Sequence, residues 1–434
     1  MRIAVVGSGI AGNSAAWALS DTHDVVLYEK RTRPGGHSAT VDIDYAGERI
    51  AVDTGFIVYN ELNYPNLTAL FDHLGVKSHE SDMSFSVCVD AGRREWAGTN
   101  LGTIFGQRRN LLSPRFLWML REILRFNKLS VADRAQGLLY GRSLGDYLAA
   151  RRFARAFIDD YLVPMGAAIW STPAREMLDF PAESFVAFFE NHRLVGFDRP
   201  KWRTVTGGSR EYVERLLQPL AGKIRLSSAV AEIRREDGRV MVRDEAGHTD
   251  YFDHVVIAAH TDQALAMLDD ADHEEREMLA AIPYRPNTVY LHRDASLMPR
   301  RKRVWSSWNY MRASTPGACK NDVSVTYWMN RLQGIDNARP LFVSLNPAKA
   351  PREDLTFGTY TYDHPQFGEN ALKGQLMLKR LQGKRNTWFC GAWCGYGFHE
   401  DGLVSGLDVA RSLGAEIPWE IGTDGGMRIA EAAQ

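Results

Sequence analysis

Three glycines near the start of the chain offer the clearest chemistry. They lie in the run Gly7-Ser8-Gly9-Ile10-Ala11-Gly12, which has the pattern G-x-G-x-x-G. In such a run Gly7 permits a tight turn, Gly9 lets the backbone approach a pyrophosphate, and Gly12 allows a helix to pack closely on a strand. We therefore interpret Gly7, Gly9, Ile10, Ala11 and Gly12 as part of a dinucleotide site.

The segments around this motif are of the types needed to position it. Residues 3–6 form an apolar run typical of a buried parallel strand, residues 13–19 are good helix formers, and residues 25–28 form a second apolar run. A helix starting at the glycines presents free N–H groups and a positive dipole end to phosphate. Glu29, after the second run, is placed to accept hydrogen bonds from ribose hydroxyls. Together these features predict a bound dinucleotide.

A second glycine pair follows Glu29 and indicates which of the two common dinucleotides, NAD or FAD, the chain binds. Gly35 and Gly36 give another close backbone approach, and Arg33 is a cation suited to phosphate. NAD does not need these groups, whereas the longer FAD extends past the first loop. Gly55 marks a further close approach inside a predicted strand. The predicted cofactor is therefore FAD, and this part of its site comprises Lys30, Arg33, Gly35, Gly36, His37, Gly55 and Phe56.

Two further regions carry a resemblance to a known family. One follows Gly207-Gly208-Ser209 and contains predicted strands at residues 229–235, 239–243, 249–252 and 254–259. The turn Asp237-Gly238 has the composition of a hairpin. The other region combines an apolar run at 387–393 with a glycine-rich loop at 397–406. Together with the N-terminal motif, these segments resemble the flavin-containing amine oxidase superfamily.

The resemblance implies roles for residues in both regions. Val230 matches the position whose backbone meets adenine, and Phe398 matches an aromatic wall in front of the flavin. Gly391, Gly402 and Leu403 belong to the closing strand, loop and helix. In the family, the N-terminus of that helix points at the flavin pyrimidine ring, where its dipole favours the anionic reduced form.

A narrower resemblance concerns the substrate. Residues 53–60 and 64–66 are similar to a bacterial subgroup of flavoproteins that accompany methyltransferases of the cyclopropane-fatty-acid-synthase type. One such type desaturates methylated fatty acyl chains on the route to furan fatty acids. This implies an apolar, lipid-like substrate, a phospholipid acyl chain, and a methyltransferase as functional partner.

The expected reaction is hydride transfer from a substrate carbon to flavin N5, followed by proton loss to give a conjugated diene. The sequence shows no Ser-His-Asp order, no metal cluster and no Walker loop, so the chemistry is assigned to the flavin and no metal is predicted. Tyr59, Asn60 and His399 are the candidate catalytic residues. His399 has a suitable intrinsic pKa for proton transfer, although a purely structural role is the alternative.

Three other functions stay open. The first is an amine oxidase, in which Phe398 is one of two aromatic faces around a neutral amine. The second is an isomerase that moves a double bond with the flavin as a transient hydride store. The third is a flavoprotein without catalysis. Aromatic side chains in the segments between the cofactor regions either fill a second core or line an apolar tunnel.

The fold class that follows is α/β, a Rossmann-like FAD-binding domain of amine-oxidase type with a second α+β substrate domain. The predicted FAD domain joins residues 1–75, 200–265 and 385–415, which lie apart in the sequence. Residues 76–199 and 266–384 form the predicted substrate domain. A loose C-terminal tail is predicted for 416–434.

Composition limits the partners and the location. The 434 residues include 52 basic and 53 acidic ones, so no nucleic acid is expected. Four cysteines suit a reducing compartment, and neither a signal peptide nor a membrane span is visible, so the protein is expected in the cytoplasm. Residues 108–128 are basic and apolar, and predict either a helix on an anionic membrane surface, peripheral to the inner face, or an ordinary domain helix.

Overall fold

The computed structural model describes residues 1–196, 200–312 and 324–420. Its strands are β1 Arg2–Val6, β2 Asp24–Tyr28, β3 Thr40–Tyr45, β4 Glu48–Asp53, β5 Tyr59–Asn60, β6 Ser78–Ser81, β7 Phe85–Val89, β8 Arg94–Ala97, β9 Trp202–Val205, β10 Ile224–Arg225, β11 Val230–Glu236, β12 Arg239–Asp244, β13 Thr249–Phe252, β14 His254–Ile257, β15 Tyr284–His292, β16 Trp308–Arg312, β17 Val325–Trp328, β18 Phe342–Leu345, β19 Thr356–Pro365 and β20 Thr387–Phe389. Its α-helices are α1 Ile10–Leu19, α2 Pro65–Leu74, α3 Leu101–Ile104, α4 Pro114–Ala135, α5 Leu144–Ala150, α6 Arg155–Phe157, α7 Val163–Trp170, α8 Ala182–Asn191, α9 Arg210–Leu217, α10 Thr261–Met267, α11 His273–Ala280, α12 Met329–Gln333, α13 Glu369–Leu381 and α14 His399–Ser412.

The N-terminal motif belongs to a five-stranded parallel sheet with the order β10-β2-β1-β14-β20. Ile3, Ala4 and Val5 of β1 are fully buried, as the continuous apolar run predicts for a strand covered on both faces. Helix α1 begins at Ile10 rather than at residue 13, because Gly9 is the last residue with extended backbone. The predicted strand–turn–helix–strand unit is therefore present.

A seven-stranded sheet with the order β19-β15-β18-β17-β16-β7-β8 forms the second layer. Strands β7 and β8 come from one predicted substrate segment, and β15 to β19 come from the other. Most pairs are antiparallel, but β16 and β7 run parallel where the two segments meet. The helices from α4 to α8 also lie in the first of these segments. The observed architecture is mixed α/β.

The middle segment forms the predicted meander, with β11, β12 and β13 paired antiparallel. The next strand, β14, joins β1 in the parallel sheet instead of extending the meander. Gly55 differs from prediction: β4 ends at Asp53, so the glycine lies just after the strand. There its close approach is to backbone, since a Cβ atom would lie 2.2 Å from the carbonyl oxygen of His37.

The parallel sheet draws its strands from the three separated segments predicted to bind FAD, whereas the seven-stranded sheet draws them from the two segments between. The division into two domains stays a prediction.

The predicted tail is partly wrong, because Trp419 stacks on Trp17 at a ring distance of 5.9 Å and its Nε1 donates to Asn66. Residues 421–434 lie outside the described ranges. Within those ranges, no helix has the length and apolar content needed to cross a bilayer.

Candidate active site

A cavity of about 910 Å³ lies between the two large sheets. Val6 of the parallel sheet and Val289, Val343 and Leu345 of the seven-stranded sheet contribute to its wall. The glycine motif lies at one end together with Glu29 and Lys30, and the other end is apolar. Because one cavity joins these two ends, a group bound at the motif and a second molecule can meet inside it.

The glycine loop fits the pyrophosphate of a dinucleotide. Gly7 has a φ of +103°, and a Cβ there would lie 2.7 Å from the carbonyl oxygen of Ala258. At Gly9, by contrast, no atom lies within 4 Å of a Cβ position, and this residue lines the cavity. No side chain caps the N-terminus of α1, and its first turn has no acid. The free N–H groups are therefore available to phosphate.

Gly12 has the packing role predicted from its position. It is buried inside α1, and a Cβ would lie 1.8 Å from the carbonyl oxygen of Gly7 and 2.9 Å from Cβ of Ala258. It is not among the described residues that line the cavity. Its contribution to the site is the short distance between helix and strand.

Glu29 joins the first loop to the second. Its Oε2 accepts a hydrogen bond from the backbone N–H of Ser8 at 3.0 Å, and its Oε1 accepts one from the N–H of Arg31 at 2.8 Å. The carboxylate is buried and lines the cavity. Oε2 also accepts a hydrogen bond from the Ser8 hydroxyl, so the oxygen with a remaining lone pair is Oε1, to which a ribose hydroxyl can still donate.

The second glycine pair lies against the first loop. Gly36 has a φ of +57°, and a Cβ there would lie 3.0 Å from the Cα of Gly9. The backbone N–H of Gly35 donates to the carbonyl oxygen of Ser8 at 2.8 Å. Side chains at these positions would force the loops apart.

Phosphate binding by Arg33 stays a prediction, and its guanidinium bonds within the second loop. Its guanidinium donates to the carbonyl oxygens of Pro34, Gly36 and Ser38 at 3.1–3.2 Å. Neither Arg33 nor Gly35 is among the described residues that line the cavity. The cation stabilises the turn of the second loop, and the cations that line the cavity are Lys30 and Arg31.

Three histidines line the cavity close to one another. The ring of His37 lies 5.5 Å from that of His364, and His260 stacks on Tyr284 at 4.2 Å. Burial, then the neighbouring His364 and His260, hold the pKa of His37 well below its ordinary value. Burial also lowers the pKa of His260, and lowers that of His364 to about 4. All three imidazoles are therefore neutral at pH 7.

One atom of this group fits a polar ligand. The Nε2 of His37 is buried and has no hydrogen-bond partner among the described residues. A buried polar atom without a partner is costly, and a polar cofactor atom in the cavity would satisfy it. Together with the glycine loops and Glu29, it supports the fit of FAD to this chain.

The residues implied by the family resemblance separate into two groups. Val230, at the start of β11, Gly391 and Phe398 line the cavity, as do Gly55, Phe56 and His37. Gly402 and Leu403 do not, which corrects their assignment as cofactor-binding residues. They lie inside α14, where a Cβ on Gly402 would be 2.7 Å from Ile10 and Leu403 is fully buried. Their role is the packing of α14 on α1.

Tyr59 and Asn60 are two of the three candidate catalytic residues. Neither is among the described residues that line the cavity. The Tyr59 ring packs 5.1 Å from that of Phe71, and its hydroxyl donates to Ser78 at 2.8 Å. Asn60 Oδ1 accepts the N–H of Asn63 at 2.9 Å. Both side chains are buried in the core, and a catalytic role for either stays a prediction.

His399 does line the cavity, but its geometry favours a structural role. Its ring stacks on Phe56 at 3.8 Å, and its Nε2 contacts the hydroxyl of Tyr212 at 2.6 Å and that of Ser38 at 3.2 Å. Burial lowers its pKa to about 3, so the ring is neutral at pH 7. Nε2 is already occupied, whereas no described residue bonds to Nδ1, so proton transfer by His399 stays a prediction.

The end of the cavity away from the glycine motif is apolar. Its wall includes Met165, Ile169, Phe188, Leu345 and the half-buried Phe398. Phe188 stacks on Phe398 at 4.9 Å. Asp363 is the single charged side chain among the described lining residues from the two substrate segments, 76–196 and 266–384 without 313–323. Asp363 neighbours His260, at the cofactor end, so the inner end has no charge.

His192 lies in this apolar end and was missed by sequence reasoning. Its ring stacks on Phe188 at 3.8 Å and lies 6.1 Å from Phe398. The Nδ1–H donates to the carbonyl oxygen of Phe188 at 3.0 Å, and no described residue bonds to Nε2. Burial lowers the pKa of His192 to about 4. A neutral ring with a free acceptor nitrogen therefore faces the apolar chamber.

Two of the aromatic side chains that the sequence predicted to fill a second core or to line a tunnel, Tyr284 and Tyr362, line the cavity. Both lie on paired strands of the seven-stranded sheet, β15 and β19, and Tyr362 contacts Thr54 through a hydroxyl–hydroxyl hydrogen bond of 2.7 Å. No motif marks them or His192. Only the long-range pairing of the chain brings them beside the glycine loops.

The sequence profile of the family described as flavin containing amine oxidoreductase matches residues 10–334. This is more than half of the 434 residues, so the chain belongs to that family. Together with the fit of the loops, membership identifies an FAD-dependent oxidoreductase with the amine-oxidase type of FAD-binding fold, as the sequence predicted. Among curated proteins, no sequence matches the chain significantly.

Solved structures share the fold over nearly the whole length. Wild-type putrescine oxidase bound to putrescine has a TM-score of 0.69 and 15% identity, covering 95% of this chain and 99% of that one. A CLA-producing fatty acid isomerase from P. acnes has a TM-score of 0.66 and 16% identity, covering 94% of this chain and 98% of that one. Cyclohexylamine oxidase from Brevibacterium oxydans has a TM-score of 0.65 and 14% identity, covering 95% of this chain and 99% of that one. At these identities the likeness is one of fold.

Proposed function

We propose that this flavoenzyme dehydrogenates an apolar substrate, a methylated fatty acyl chain of a phospholipid. The observation that carries the proposal is the apolar inner end of the cavity, walled by Met165, Ile169, Phe188 and Leu345. Such a wall gains free energy when it removes methylene groups from water, at roughly 0.8 kcal/mol for each buried CH₂.

The same wall disfavours a charged amine as substrate. A cation entering the inner end would lose its hydration, and no carboxylate is present there among the described lining residues to compensate. Asp363, at the cofactor end, is the charged side chain contributed by the substrate segments. The cavity therefore favours a hydrocarbon over the ammonium group that an amine carries at pH 7.

The reaction removes two hydrogens from the substrate, one as hydride and one as a proton. Bound FAD supplies the hydride acceptor. An allylic carbon with a methyl branch is the suitable donor, because the positive charge that develops there is tertiary and delocalised. The aromatic faces of Phe188 and Phe398 stabilise such a charge, and Nε2 of His192, to which no described residue bonds, accepts the proton.

The substrate requires a preceding methylation. A methyl branch on an unsaturated acyl chain is the product of a methyltransferase acting on a double bond, which makes an enzyme of the cyclopropane-fatty-acid-synthase type the functional partner. The fatty acid isomerase that shares this fold acts on a fatty acid. Its likeness supports an acyl chain here without establishing one.

The test is expression in a bacterial host of known lipid profile, alone and with such a methyltransferase. We expect fatty acids lighter by the mass of two hydrogens only in the paired strain, measured by mass spectrometry of lipid extracts. Unchanged lipids in both strains, with FAD bound to the purified protein, would contradict the proposal.

The same experiment separates the alternatives. An isomerase would change the position of a double bond at constant mass. An amine oxidase would leave the lipids unchanged and release hydrogen peroxide from a panel of amines. Each result identifies a different use of the same cavity.

A further inference from the structure

Exposed apolar side chains are concentrated in one short stretch of the chain. Of the thirteen large ones among the described residues, eight lie within residues 101–140. Leu112 is 88% exposed and Leu101 is 74% exposed. Single exposed leucines are ordinary, but a cluster of them marks a surface that contacts something apolar.

The outer face of α4 contributes to this cluster. Leu117, Trp118 and Leu124 are exposed, and with Arg121 and Lys128 they recur at helical spacing along one side. The opposite side already fills the core through Phe116, Met119 and Phe126. The outer apolar residues are therefore not needed for folding. The apolar residues of α4 are thus divided between two sides.

The charges of the stretch have one sign. Within 101–132 the single acid is Glu122, which is buried and paired with Arg125 at 2.9 Å. Arg121 lies 4.6 Å over the ring of Trp118. The exposed cations without a salt bridge to any described residue are Arg108, Arg109, Arg121 and Lys128.

A second basic run lies beside this stretch. A Cβ on Gly106 would be 3.3 Å from the Cγ of Arg303, so the loop of Lys302 and Arg303 is adjacent to residues 101–112. Both side chains are exposed, whereas Arg301 is held by Glu95 at 2.8 Å. The folded chain thus brings together two basic segments that are far apart in sequence.

The stretch also borders the cavity. Gly98, which lines the cavity, lies directly before α3, whose first residue is the exposed Leu101. The Phe105 ring, after α3, lies 6.0 Å from that of Phe116 in α4. A continuous piece of chain therefore connects the cavity wall to the exposed leucines.

We propose that residues 101–128, together with Lys302 and Arg303, bind the surface of an anionic phospholipid bilayer. We call this surface the lipid-facing patch. Its leucines reach the acyl boundary, its Arg and Lys side chains contact lipid phosphates, and Trp118 takes the interfacial position that tryptophan prefers. A protein partner is disfavoured because the buried cores of protein interfaces are depleted of charged residues, whereas this surface carries several cations without a salt bridge to any described residue. The proposal holds whatever reaction the flavin performs.

The test is co-sedimentation of the FAD-loaded full chain with vesicles. We expect binding to an equal mixture of phosphatidylglycerol and phosphatidylcholine, weakened by salt, and little binding to phosphatidylcholine alone. The variant Arg108→Glu/Arg109→Glu should bind the anionic vesicles at least about tenfold more weakly, since each basic residue near the surface contributes. Leu112→Asp should weaken binding even at low salt.

Helix α13 provides matched controls. It carries the exposed Leu376 and the exposed Lys379 and Arg380, outside the lipid-facing patch. Lys379→Glu/Arg380→Glu and Leu376→Asp should bind as the unsubstituted chain does. The proposal is overturned if that chain does not bind anionic vesicles at low salt, or if patch and control variants lose binding equally. It is also overturned if light scattering shows that Leu112→Asp dissociates an oligomer, because the patch is then a protein interface.

Discussion

At the scale of single residues, two helix-capping glycines with the same open space have different consequences. Gly9 is the N-cap of α1 and Gly368 is the N-cap of α13, and at each a Cβ would meet no atom within 4 Å. Only Gly9 lines the cavity. The empty volume beside Gly9 is therefore part of the ligand cavity, whereas the space beside Gly368 is not.

We expect Gly9→Val to fold but to bind FAD at least about tenfold more weakly, because the side chain occupies the approach to the pyrophosphate. FAD titration followed by fluorescence measures the loss, and thermal unfolding of the apoprotein checks the fold. Gly368→Val is the matched control and should bind FAD normally. Equal FAD affinity in both variants would exclude a pyrophosphate at this loop.

The neutral imidazole of His192 gives a second prediction at this scale. His192→Gln should keep its bound flavin but lose turnover by roughly 10²-fold or more, because the proton acceptor is removed. Burial lowers the pKa of His192 to about 4, so the acceptor form predominates above that pH. Activity should therefore persist as the pH falls to about 5 and decline as it approaches 4.

Steady-state rates and anaerobic bleaching of the flavin absorbance measure this effect. His399→Gln gives the comparison, because His399 lines the same cavity but its Nε2 contacts Tyr212 and Ser38. If His192→Gln retained turnover and His399→Gln lost it at full flavin content, the proton acceptor would be His399, as the sequence indicated.

The sequence located the backbone parts of the site better than the side-chain parts. Gly7 and Gly9 are found by spacing alone, since a loop that must contact phosphate needs glycine at fixed positions. Tyr59 and Asn60 do not line the cavity, because neighbouring residues on a strand and its turns point in different directions, which sequence order does not reveal. His192 had no signal, because its position depends on how α8 packs on the closing loop.

At the scale of elements, a carboxylate on one helix caps another. Glu400, in the first turn of α14, accepts the N–H of Asn66 at 2.8 Å and that of Leu67 at 3.0 Å, both at the start of α2. It also accepts Nδ2 of Asn66 at 2.7 Å. All of these contacts orient α2 against α14.

Replacing Glu400 with Ala should lower the free energy of unfolding by roughly 1–3 kcal/mol, because two buried N–H groups lose their acceptor. Chemical denaturation at pH 7 measures the change. Glu369→Ala is the control, since Glu369 is also in the first turn of a helix but is exposed and paired only with Lys373. Equal small effects in both variants would show that the α2 N-terminus finds water instead.

At the scale of the whole molecule, the parallel sheet was predictable and the second sheet was not. Buried parallel strands such as 3–6 and 25–28 are continuous apolar runs, which the sequence displays directly. The seven-stranded sheet pairs β7 with β16, from residues far apart, and no local pattern specifies that pairing. The cavity wall depends on this sheet, so the chemistry of the inner end emerged only from the folded chain.

The assembled molecule encloses many histidines as neutral rings, and this gives a prediction about acid. Burial lowers the pKa of seven of them, three to about 4 and His399 to about 3; the seven are His37, His192, His254, His260, His292, His364 and His399. The unfolded chain takes up protons on these rings below about pH 6.5, whereas the folded chain does not. Their contribution to stability is therefore present above pH 6.5 and lost as the pH falls toward 4.

A ring whose pKa in the folded chain is about 4 or lower contributes a slope of about 1.4 kcal/mol per pH unit to the free energy of unfolding in that window. Glu400 and Asp401 act in the opposite direction, because burial raises the pKa of each to about 7, and burial also raises the pKa of Asp53. Seven rings against three carboxyl groups leave a net loss of stability with acid. Denaturant unfolding of the FAD-loaded chain at pH 5, 6 and 7 should show this loss of stability.

His364→Gln should reduce the slope of the free energy of unfolding against pH by about the contribution of one ring. His273→Gln, at an exposed position, should leave that slope unchanged. A slope that His364→Gln does not alter would mean that this imidazole carries its proton in the folded state.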